Sequence, residues 1–423
     1  MTHEHIKSVC VLGLGYIGLP TASVLAARGV RVTGVDVKEA VVAKINRGEI
    51  HIVEPDLEAV TAAAVKQGTL KAATAPEPAD AFLIAVPTPF HAGKADLSFV
   101  EAAGRSIAPV LRKGNLVVLE STSPPGTTEM LIAEMTALRP DLKFPAVGET
   151  GAYDIFVAYC PERVLPGKVL TELVGNDRVI GGITAESAVR AKELYGIFCE
   201  ANLHVTNART AEMCKLTENA FRDVNIAFAN ELSLVCDKLG INVWELIELA
   251  NHHPRVKILQ PGPGVGGHCI AVDPWFIVEA APEEARLIRT AREINDGKPT
   301  WVVGKVEEAL TGLRANGVKR PKVALLGLAF KPDVDDLRES PALHIAERVA
   351  AIGGCEIVVS EPNIADLPPS LTGLADLCFS NDIPALVRNA DLVVMLVNHK
   401  PYTAISRAQL AGKQLVDTRG VWP

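Results

Sequence analysis

The 423-residue chain contains no long apolar run, no closely paired cysteines and no excess of positive charge. Its longest apolar runs fall far short of the roughly 18 residues that cross a bilayer, so we expect no contact with a membrane. The N-terminal sequence lacks the basic, apolar and small-residue regions of a secretory signal, which predicts a cytoplasmic protein. A formal net charge of −8 argues against nucleic acid as a partner, because nucleic acid requires an extended basic surface.

The eight cysteines stand singly, without a CxxC pair or the Cys/His spacing of a metal site. We therefore expect reduced thiols and no bound metal; the adjacent His268 and Cys269 cannot complete a metal site alone. Aromatic residues are only 5% of the chain and hydrophobic residues 48%, the profile of an Ala/Val/Leu-rich α/β protein.

Hydrophobic patterning predicts two α/β regions that flank a helical centre. Residues 1–205 alternate short apolar strands with helical segments, which indicates a parallel sheet of the Rossmann type. The stretch 206–240 lacks glycine and proline until Gly240 and predicts one long helix at the start of a helical domain, 206–300. Further helices are predicted from about 283 to 295 and from 300 to 315. A second alternating series within 301–423 predicts another Rossmann-like domain.

The clearest motif is a glycine-rich turn after the first predicted strand. It reads Gly13-Leu14-Gly15-Tyr16-Ile17-Gly18, and Asp36 ends the next strand at about the expected spacing. The glycines let the backbone approach a pyrophosphate at a helix N-terminus, and the carboxylate suits the ribose hydroxyls. Asp36 also repels a 2′-phosphate, so the motif favours NAD over NADP, although Arg31 and Lys38 lie nearby.

Two further strand ends carry hydroxyl groups at the predicted carboxyl edge of the sheet. Thr88 and Thr122 are our candidates for ligand contacts there, since this edge binds ligands in such folds. Ordinary turn chemistry explains the same residues, and the sequence leaves both interpretations open.

Polar residues form a stripe on the predicted long helix. Lys215, Asn219 and Arg222 are spaced so that their side chains emerge along one face. The neighbouring Ala211 and Ile226 suggest that this face is partly buried, which favours a charged ligand or a catalytic role over a solvated surface.

The glycine-rich segment 261–269 ends on Cys269, which precedes Asp273 by four residues. Glycines allow close approach to a ligand, and local amides or cations lower the pKa of an accessible thiol. A reactive nucleophile and a small packed side chain both remain open from these residues alone.

The motifs GLGYIG, CKLTEN, GPGVGGHC and GLAFKPDVDDLRESP together resemble the UDP-glucose/GDP-mannose dehydrogenase family over nearly the whole chain. The segments YCPERVLPG, FRDVNIAFANE, HHPRV and GGHCIAVDPWF resemble the branch of that family that acts on UDP-N-acetyl-D-mannosamine. The resemblance implies a four-electron oxidation of the sugar C6 alcohol to a carboxylate with two NAD. It also implies that 1–205 binds NAD, 206–300 carries a homodimer or higher-oligomer surface, and 301–423 binds the UDP-sugar.

The resemblance also implies residue roles. Lys215 and Asn219 support the alkoxide, Cys269 forms the covalent intermediate, and Asp273, Glu162 and Thr122 position or activate water. Cofactor contacts extend to Thr128 and Arg338. Substrate contacts are implied for Arg163, Val164, Lys215, Asn219, Arg222, His253, Arg255, Gly266, Phe330 and Lys331. His253 is also explained by loop packing. After Glu162 the chain reads RVLPG and lacks a second nearby glutamate found in the UDP-glucose members, so the resemblance supports a general-acid role for Glu162 less strongly than the covalent role of Cys269.

Three alternatives remain. The first alternative is a dehydrogenase of the same family whose substrate is UDP-N-acetylglucosamine or UDP-glucose. The second is a two-electron enzyme of the hydroxyacid dehydrogenase group. The third is a regulatory protein that binds a nucleotide sugar without turnover. The second does not account for Cys269 or the last α/β domain, and the third does not account for Lys215, Asn219, Cys269 and Asp273 together.

Overall fold

The computed structural model of the protein describes residues 6–91, 94–148, 151–165, 167–267 and 269–422. Two compact units divide the chain, with unit 1 formed by residues 1–218 and 279–281 and unit 2 by residues 219–278 and 282–423. The boundary falls inside the long helix α8 (Ala208–Leu239). His268 lies outside the described residues.

Unit 1 alternates strands and helices. Its strands are β1 (Ser8–Leu12), β2 (Arg31–Val35), β3 (Leu70–Ala73), β4 (Ala81–Ile84), β5 (Phe90–His91), β6 (Lys94–Ala95), β7 (Leu116–Leu119), β8 (Phe156–Tyr159), β9 (Arg178–Gly182) and β10 (Leu203–Asn207). Its helices before α8 are α1 (Gly18–Ala27), α2 (Glu39–Asn46), α3 (Leu57–Gln67), α4 (Ser98–Ile107), α5 (Thr127–Leu138), α6 (Val169–Gly175) and α7 (Ala185–Tyr195).

Eight of these strands form one sheet in the order β10-β9-β8-β7-β4-β1-β2-β3. All neighbours within it are parallel except β8 and β9, a departure from the fully parallel sheet predicted. Successive residues of β1 enter separate apolar clusters, Val9 and Val11 in one and Cys10 and Leu12 in the other. The sheet is therefore buried on both faces, as expected when helices cover a parallel sheet.

Unit 2 contains the rest of α8 and a second sheet in the order β13-β12-β11-β14-β15, all parallel. Its strands are β11 (Lys322–Leu326), β12 (Glu356–Ser360), β13 (Leu377–Phe379), β14 (Leu392–Met395) and β15 (Gln414–Asp417). Its helices are α9 (Val243–Asn251), α10 (Asp273–Ala280), α11 (Arg286–Ala315), α12 (Pro341–Ile352), α13 (Ile383–Asn389) and α14 (Lys400–Thr403), and the last two residues of α10 belong to unit 1. The prediction of two Rossmann-like regions, a long helix and a helical middle part is confirmed.

One helical prediction differs from the structure. The two helices predicted on either side of residues 296–299 are a single helix, α11, that continues through Pro299. Proline removes one backbone donor and normally bends or ends a helix. Here Pro299 is buried and its ring lies against Gly264, where an added Cβ would be 3.2 Å from the proline Cγ. Packing thus outweighs the local preference.

Candidate active site

The glycine-rich turn of unit 1 has two glycines that the fold requires and one that it does not. Gly13 has φ +89°, and a Cβ there would lie 2.5 Å from the Ala85 carbonyl oxygen. A Cβ at Gly18 would lie 1.8 Å from the Gly13 carbonyl oxygen. At Gly15 an added Cβ meets no described atom within 4 Å. Gly13 and Gly18 therefore close the turn, whereas Gly15 leaves open space beside the start of α1.

Asp36 follows β2 and lies against the same turn. Its carboxylate accepts hydrogen bonds from the backbone N–H groups of Leu14 at 3.2 Å and Lys38 at 2.9 Å. Tyr16 is exposed and Ile17 half-buried. Open space at Gly15, a helix N-terminus and a fixed carboxylate together fit the pyrophosphate and ribose of NAD.

The ends of β4 and β7 meet through hydroxyl groups. Thr88 donates to the Thr122 carbonyl oxygen at 2.7 Å, and both side chains are half-buried. Thr128 is instead fully buried, and its hydroxyl donates to Glu212 at 2.7 Å. Thr128 therefore holds Glu212 and offers no accessible surface to a ligand.

Residues 162–164 follow β8 and are held by charged partners and apolar packing. Glu162 is 9% exposed and its Oε2 lies 2.9 Å from the Arg178 Nη2. Arg163 pairs with Glu218 at 2.7 Å and also donates to the Asp177 carbonyl oxygen, while Val164 packs on the apolar core. The cation of Arg163 is thus partly neutralised within unit 1.

Helix α8 carries the predicted polar stripe across the boundary of the two units. Lys215 and Asn219 are half-buried and Arg222 is exposed. The partial burial of Lys215 and Asn219 agrees with the expectation from their apolar neighbours.

Unit 2 brings together three of the predicted catalytic residues. Asn219 donates from Nδ2 to the Asp273 Oδ2 at 2.6 Å, and Asp273 is only 3% exposed. The Asp273 N–H donates to the Cys269 carbonyl oxygen at 2.8 Å, which sets the two residues one turn apart. Cys269 is exposed, whereas five of the other cysteines are buried. An accessible thiol thus lies one turn from a buried carboxylate that holds an amide.

A buried chain of hydrogen bonds supports the loop that leads to Cys269. The Gly262 N–H donates to the Asn230 Oδ1 at 2.9 Å, and Asn230 donates to the Asn295 Oδ1 at 2.8 Å. Asn295 donates to the Asp223 Oδ1 at 2.8 Å, which also accepts from Arg292 at 2.6 Å. All four side chains are at most 1% exposed. Helices α8 and α11 therefore fix the start of the glycine-rich loop.

Replacement of Asn230 by alanine is expected to lower the free energy of unfolding of unit 2 by about 3 kcal/mol, because buried partners at Gly262 and Asn295 lose their hydrogen bonds. All four tryptophans of the chain lie in unit 2, so denaturant unfolding followed by tryptophan fluorescence reports this unit. Asn225→Ala, in the same helix, is the control and should change stability by less than about 1 kcal/mol. Equal losses in both variants would contradict the supporting role of Asn230.

The remaining predicted ligand contacts of unit 2 fall into three groups. A Cβ at Gly266 would lie 2.4 Å from the Glu339 carbonyl oxygen and 2.9 Å from the Phe330 Cβ, so glycine permits this contact. The Lys331 ammonium lies 5.3 Å from the Phe330 ring centroid. The third group consists of the exposed residues His253, Arg255 and Arg338. Arg338 forms an ion pair with Asp336 at 2.7 Å.

Several residues beside the site were not predicted from the sequence. Asp223, Asn230, Arg292 and Asn295 are polar residues at buried helical positions, and Glu120 and Arg178 are buried beside Glu162. The seven-residue spacing of Asp223 and Asn230 puts both on one helical face, a signal that was available. Within the described ranges, no group of three or more His, Cys, Asp or Glu side chains could hold a metal ion. No helix in the same part of the chain is long and apolar enough to cross a membrane.

The βαβ turn with Asp36 and the accessible thiol in a glycine-rich loop define an NAD-linked dehydrogenase. The chain belongs to the UDP-glucose/GDP-mannose dehydrogenase family: its NAD binding domain matches residues 7–199, its central domain 209–297 and its UDP binding domain 324–423. The predictions of this family, of an NAD-dependent oxidoreductase and of NAD as cofactor are confirmed.

Similar proteins span nearly the full length of the chain. A UDP-N-acetyl-D-mannosamine dehydrogenase of Yersinia pestis is 59% identical over 98% of this chain and 99% of its own. An NDP-N-acetyl-D-galactosaminuronic acid dehydrogenase of Ralstonia nicotianae is 58% identical over 98% of this chain and 96% of its own. The solved structure of a UDP-D-ManNAc dehydrogenase from Pyrococcus horikoshii matches with a TM-score of 0.85 at 38% identity, covering 98% and 96% of the two chains. The predicted resemblance to the branch that acts on UDP-N-acetyl-D-mannosamine is thus confirmed.

Proposed function

We propose that the protein oxidises the C6 alcohol of UDP-N-acetyl-D-mannosamine to the carboxylate, with Cys269 as covalent nucleophile. The observation that carries this proposal is the arrangement of Cys269, Asp273 and Asn219: an exposed thiol one turn from a buried carboxylate that holds an amide. A simple alcohol dehydrogenase does not need a thiol, whereas acid formation through an acyl intermediate does. The sugar is proposed from the Yersinia and Pyrococcus relatives.

In the first oxidation, O6 gives up its proton to water, and Lys215 and Asn219 stabilise the negative charge that develops on O6. Asn219 uses one Nδ2 hydrogen for Asp273, which fixes its amide and leaves the second hydrogen for the alkoxide. The cation of Lys215 stabilises the same charge. Each of the two oxidations delivers one hydride to NAD.

In the second oxidation, the Cys269 thiolate adds to the aldehyde carbon and forms a thiohemiacetal. Loss of hydride from that carbon gives a thioester on Cys269. Water then attacks the thioester carbon, the C–S bond breaks, and the thiolate is restored as the acid leaves. Asp273, Glu162 and Thr122 are proposed to position this water or accept its proton.

Binding roles follow the division predicted from the sequence, with NAD on 1–205, an oligomer surface on 206–300 and the UDP-sugar on 301–423. The three family domains, which match 7–199, 209–297 and 324–423, support it. The backbone of 13–18, Asp36 and Thr88 are proposed for NAD, with Arg338; Thr128 is left out because it is buried. Arg163, Val164, Arg222, His253, Arg255, Gly266, Phe330 and Lys331 are proposed for the UDP-sugar, since cations suit its diphosphate.

The second candidate substrate is a UDP-linked 2-acetamido sugar of another configuration, which the same residues would oxidise in the same way. The Ralstonia relative favours this candidate. Initial rates of NADH formation with UDP-N-acetylmannosamine, UDP-N-acetylgalactosamine, UDP-N-acetylglucosamine and UDP-glucose distinguish the candidates. We expect the highest kcat/KM with UDP-N-acetylmannosamine. A higher value with any of the other three would reassign the sugar, and no NADH with any of them would favour a regulatory binding protein.

We propose that the protein works in the cytoplasm as a homodimer. An apolar stripe supports the dimer: Phe221, Phe228, Val235 and Leu239 are 69%, 54%, 47% and 64% exposed and recur at helical spacing along α8. Contiguous exposed apolar surface of this kind marks protein–protein contacts. A second copy of the same helix supplies a matching stripe, as two-fold interfaces require.

Phe228→Glu is expected to shift the protein from dimer to monomer, because a charge placed in an apolar interface loses its water without gaining a partner. Light scattering after size-exclusion chromatography measures the mass. Val189→Glu, at a site on α7 that is 53% exposed, is the control and should leave the mass unchanged. A wild-type protein that is monomeric at micromolar concentration would contradict the proposal.

A further inference from the structure

A buried group of titratable side chains lies at the carboxyl ends of β7 and β8. Glu120 directly follows β7, Glu162 lies three residues after β8, and Arg178 begins β9. The parallel register pairs Leu119 with Tyr159, and the antiparallel register pairs Tyr159 with Gly181. Continuing these registers places Glu120 beside Cys160 and Glu162 opposite Arg178. The topology therefore gathers two carboxyl groups and one guanidinium in one place.

Few groups are available to neutralise this cluster. Tyr195 donates to the Glu120 Oε1 at 2.6 Å, and Arg178 lies 2.9 Å from the Glu162 Oε2. The rings of Tyr195 and Phe198 flank the guanidinium, with centroids 4.9 Å and 5.1 Å from its central carbon. Among the described residues, none forms a hydrogen bond with the Glu120 Oε2. One cation therefore faces two carboxyl groups in a largely buried site.

The charge balance of the cluster requires one proton. Glu120 and Arg178 are each 3% exposed, Glu162 is 9% exposed and Tyr195 is fully buried. Burial raises the pKa of the Cys160 thiol to about 12 and the pKa of Tyr195 well above its usual value, so both are neutral. Two ionised carboxylates would leave a net buried negative charge, which is costly, whereas one protonated carboxyl leaves a neutral ion pair. Burial, with Glu162 nearby, raises the pKa of Glu120 to about 7.

We propose that Glu120, Glu162 and Arg178 form one buried acid–base unit that holds a single proton below neutral pH, with Glu120 as the positioning residue that carries it. This inference rests on the proposed role of Glu162 in hydrolysis of the thioester. While Glu120 is protonated, Arg178 neutralises Glu162 alone. When Glu120 ionises, the two carboxylates share one cation, so Arg178 neutralises the negative charge of Glu162 less completely and that charge attracts the proton of the attacking water more strongly. Glu120 thus acts through Glu162 without contacting substrate.

Glu120→Gln tests this directly, because glutamine is neutral at every pH and its Oε1 still accepts from Tyr195. The kcat of the wild type is expected to show an inflection near pH 7 that is absent in the variant, with KM for the UDP-sugar changed less than twofold. Glu101→Gln, on the partly exposed face of α4, is the control and should keep the inflection. An unchanged inflection in Glu120→Gln would overturn the proposal. An equal loss of kcat at every pH would also overturn it, because a structural role predicts that result.

Stability gives a second readout that does not require turnover. A carboxyl whose folded-state pKa is raised from 4.5 to about 7 stabilises the protein at low pH, and this stabilisation falls as the pH rises from 4.5 to 7. Calorimetry should therefore show the Tm of the wild type falling relative to Glu120→Gln over this range, with a constant difference above it. In Glu162→Gln the fall in Tm should move to lower pH, because Arg178 then neutralises Glu120 alone. The absence of both shifts contradicts the inference, whereas a wild type that gives one NADH per sugar contradicts the proposed function instead.

Discussion

Cys269→Ser is expected to abolish formation of the acid, with kcat for the complete oxidation lowered by at least about 10³-fold, as for other lost nucleophiles. A serine hydroxyl is almost fully protonated at neutral pH, so it does not add to the aldehyde as the thiolate does. Fewer than two NADH per UDP-sugar should form, measured by absorbance with the sugar limiting.

The matched control is Cys378→Ser, since Cys378 is the other exposed cysteine among the described residues. No catalytic role is predicted for Cys378, and its thiol donates to the Ile357 carbonyl oxygen at 3.6 Å. We expect wild-type turnover and two NADH per sugar from this variant. Two NADH at a normal rate from Cys269→Ser would show that the mechanism is not covalent at this thiol.

Gly15→Val is expected to weaken NAD binding strongly without unfolding unit 1. The backbone at Gly15 is not in the left-handed region and no described atom lies within 4 Å of an added Cβ, so we expect a stability change within about 0.5 kcal/mol. The valine side chain would fill the space in which the protein backbone approaches the pyrophosphate of NAD. Overpacking at such a contact should weaken NAD binding by about ten- to a hundredfold, measured by calorimetric titration.

Gly18→Ala is the contrasting variant in the same turn. Its methyl group would lie 1.8 Å from the Gly13 carbonyl oxygen, so the backbone must move and unit 1 should lose about 3 kcal/mol of stability. A stable Gly15→Val variant that binds NAD as tightly as the wild type would contradict the placement of the cofactor. A Gly18→Ala variant of normal stability would contradict the packing of the turn.

Local signals account for the parts of the fold and site that the sequence predicted. The glycine turn with Asp36 lies within one βαβ unit, and α8 follows from an uninterrupted helical pattern, so each needs only neighbouring residues. The continuation of α11 through Pro299 was not predicted, because its cause is a contact with Gly264, which is distant in sequence.

Contacts between distant residues account for what was missed. The family resemblance implies a cofactor contact for Thr128, whereas its hydroxyl donates to Glu212, 84 residues later. Asn230 meets Gly262 and Arg178 meets Glu162 only after the helices and sheet are assembled. A lone buried asparagine or arginine in a sequence does not reveal its partner, so the loop support and the acid–base cluster required the structure.

The number of NADH molecules formed per sugar tests the central claim most directly. UDP-N-acetylmannosamine is supplied as the limiting substrate with excess NAD, and the product is identified by mass. A covalent route through Cys269 predicts two NADH per sugar and a product with a C6 carboxylate. One NADH per sugar with a stable aldehyde product would contradict it.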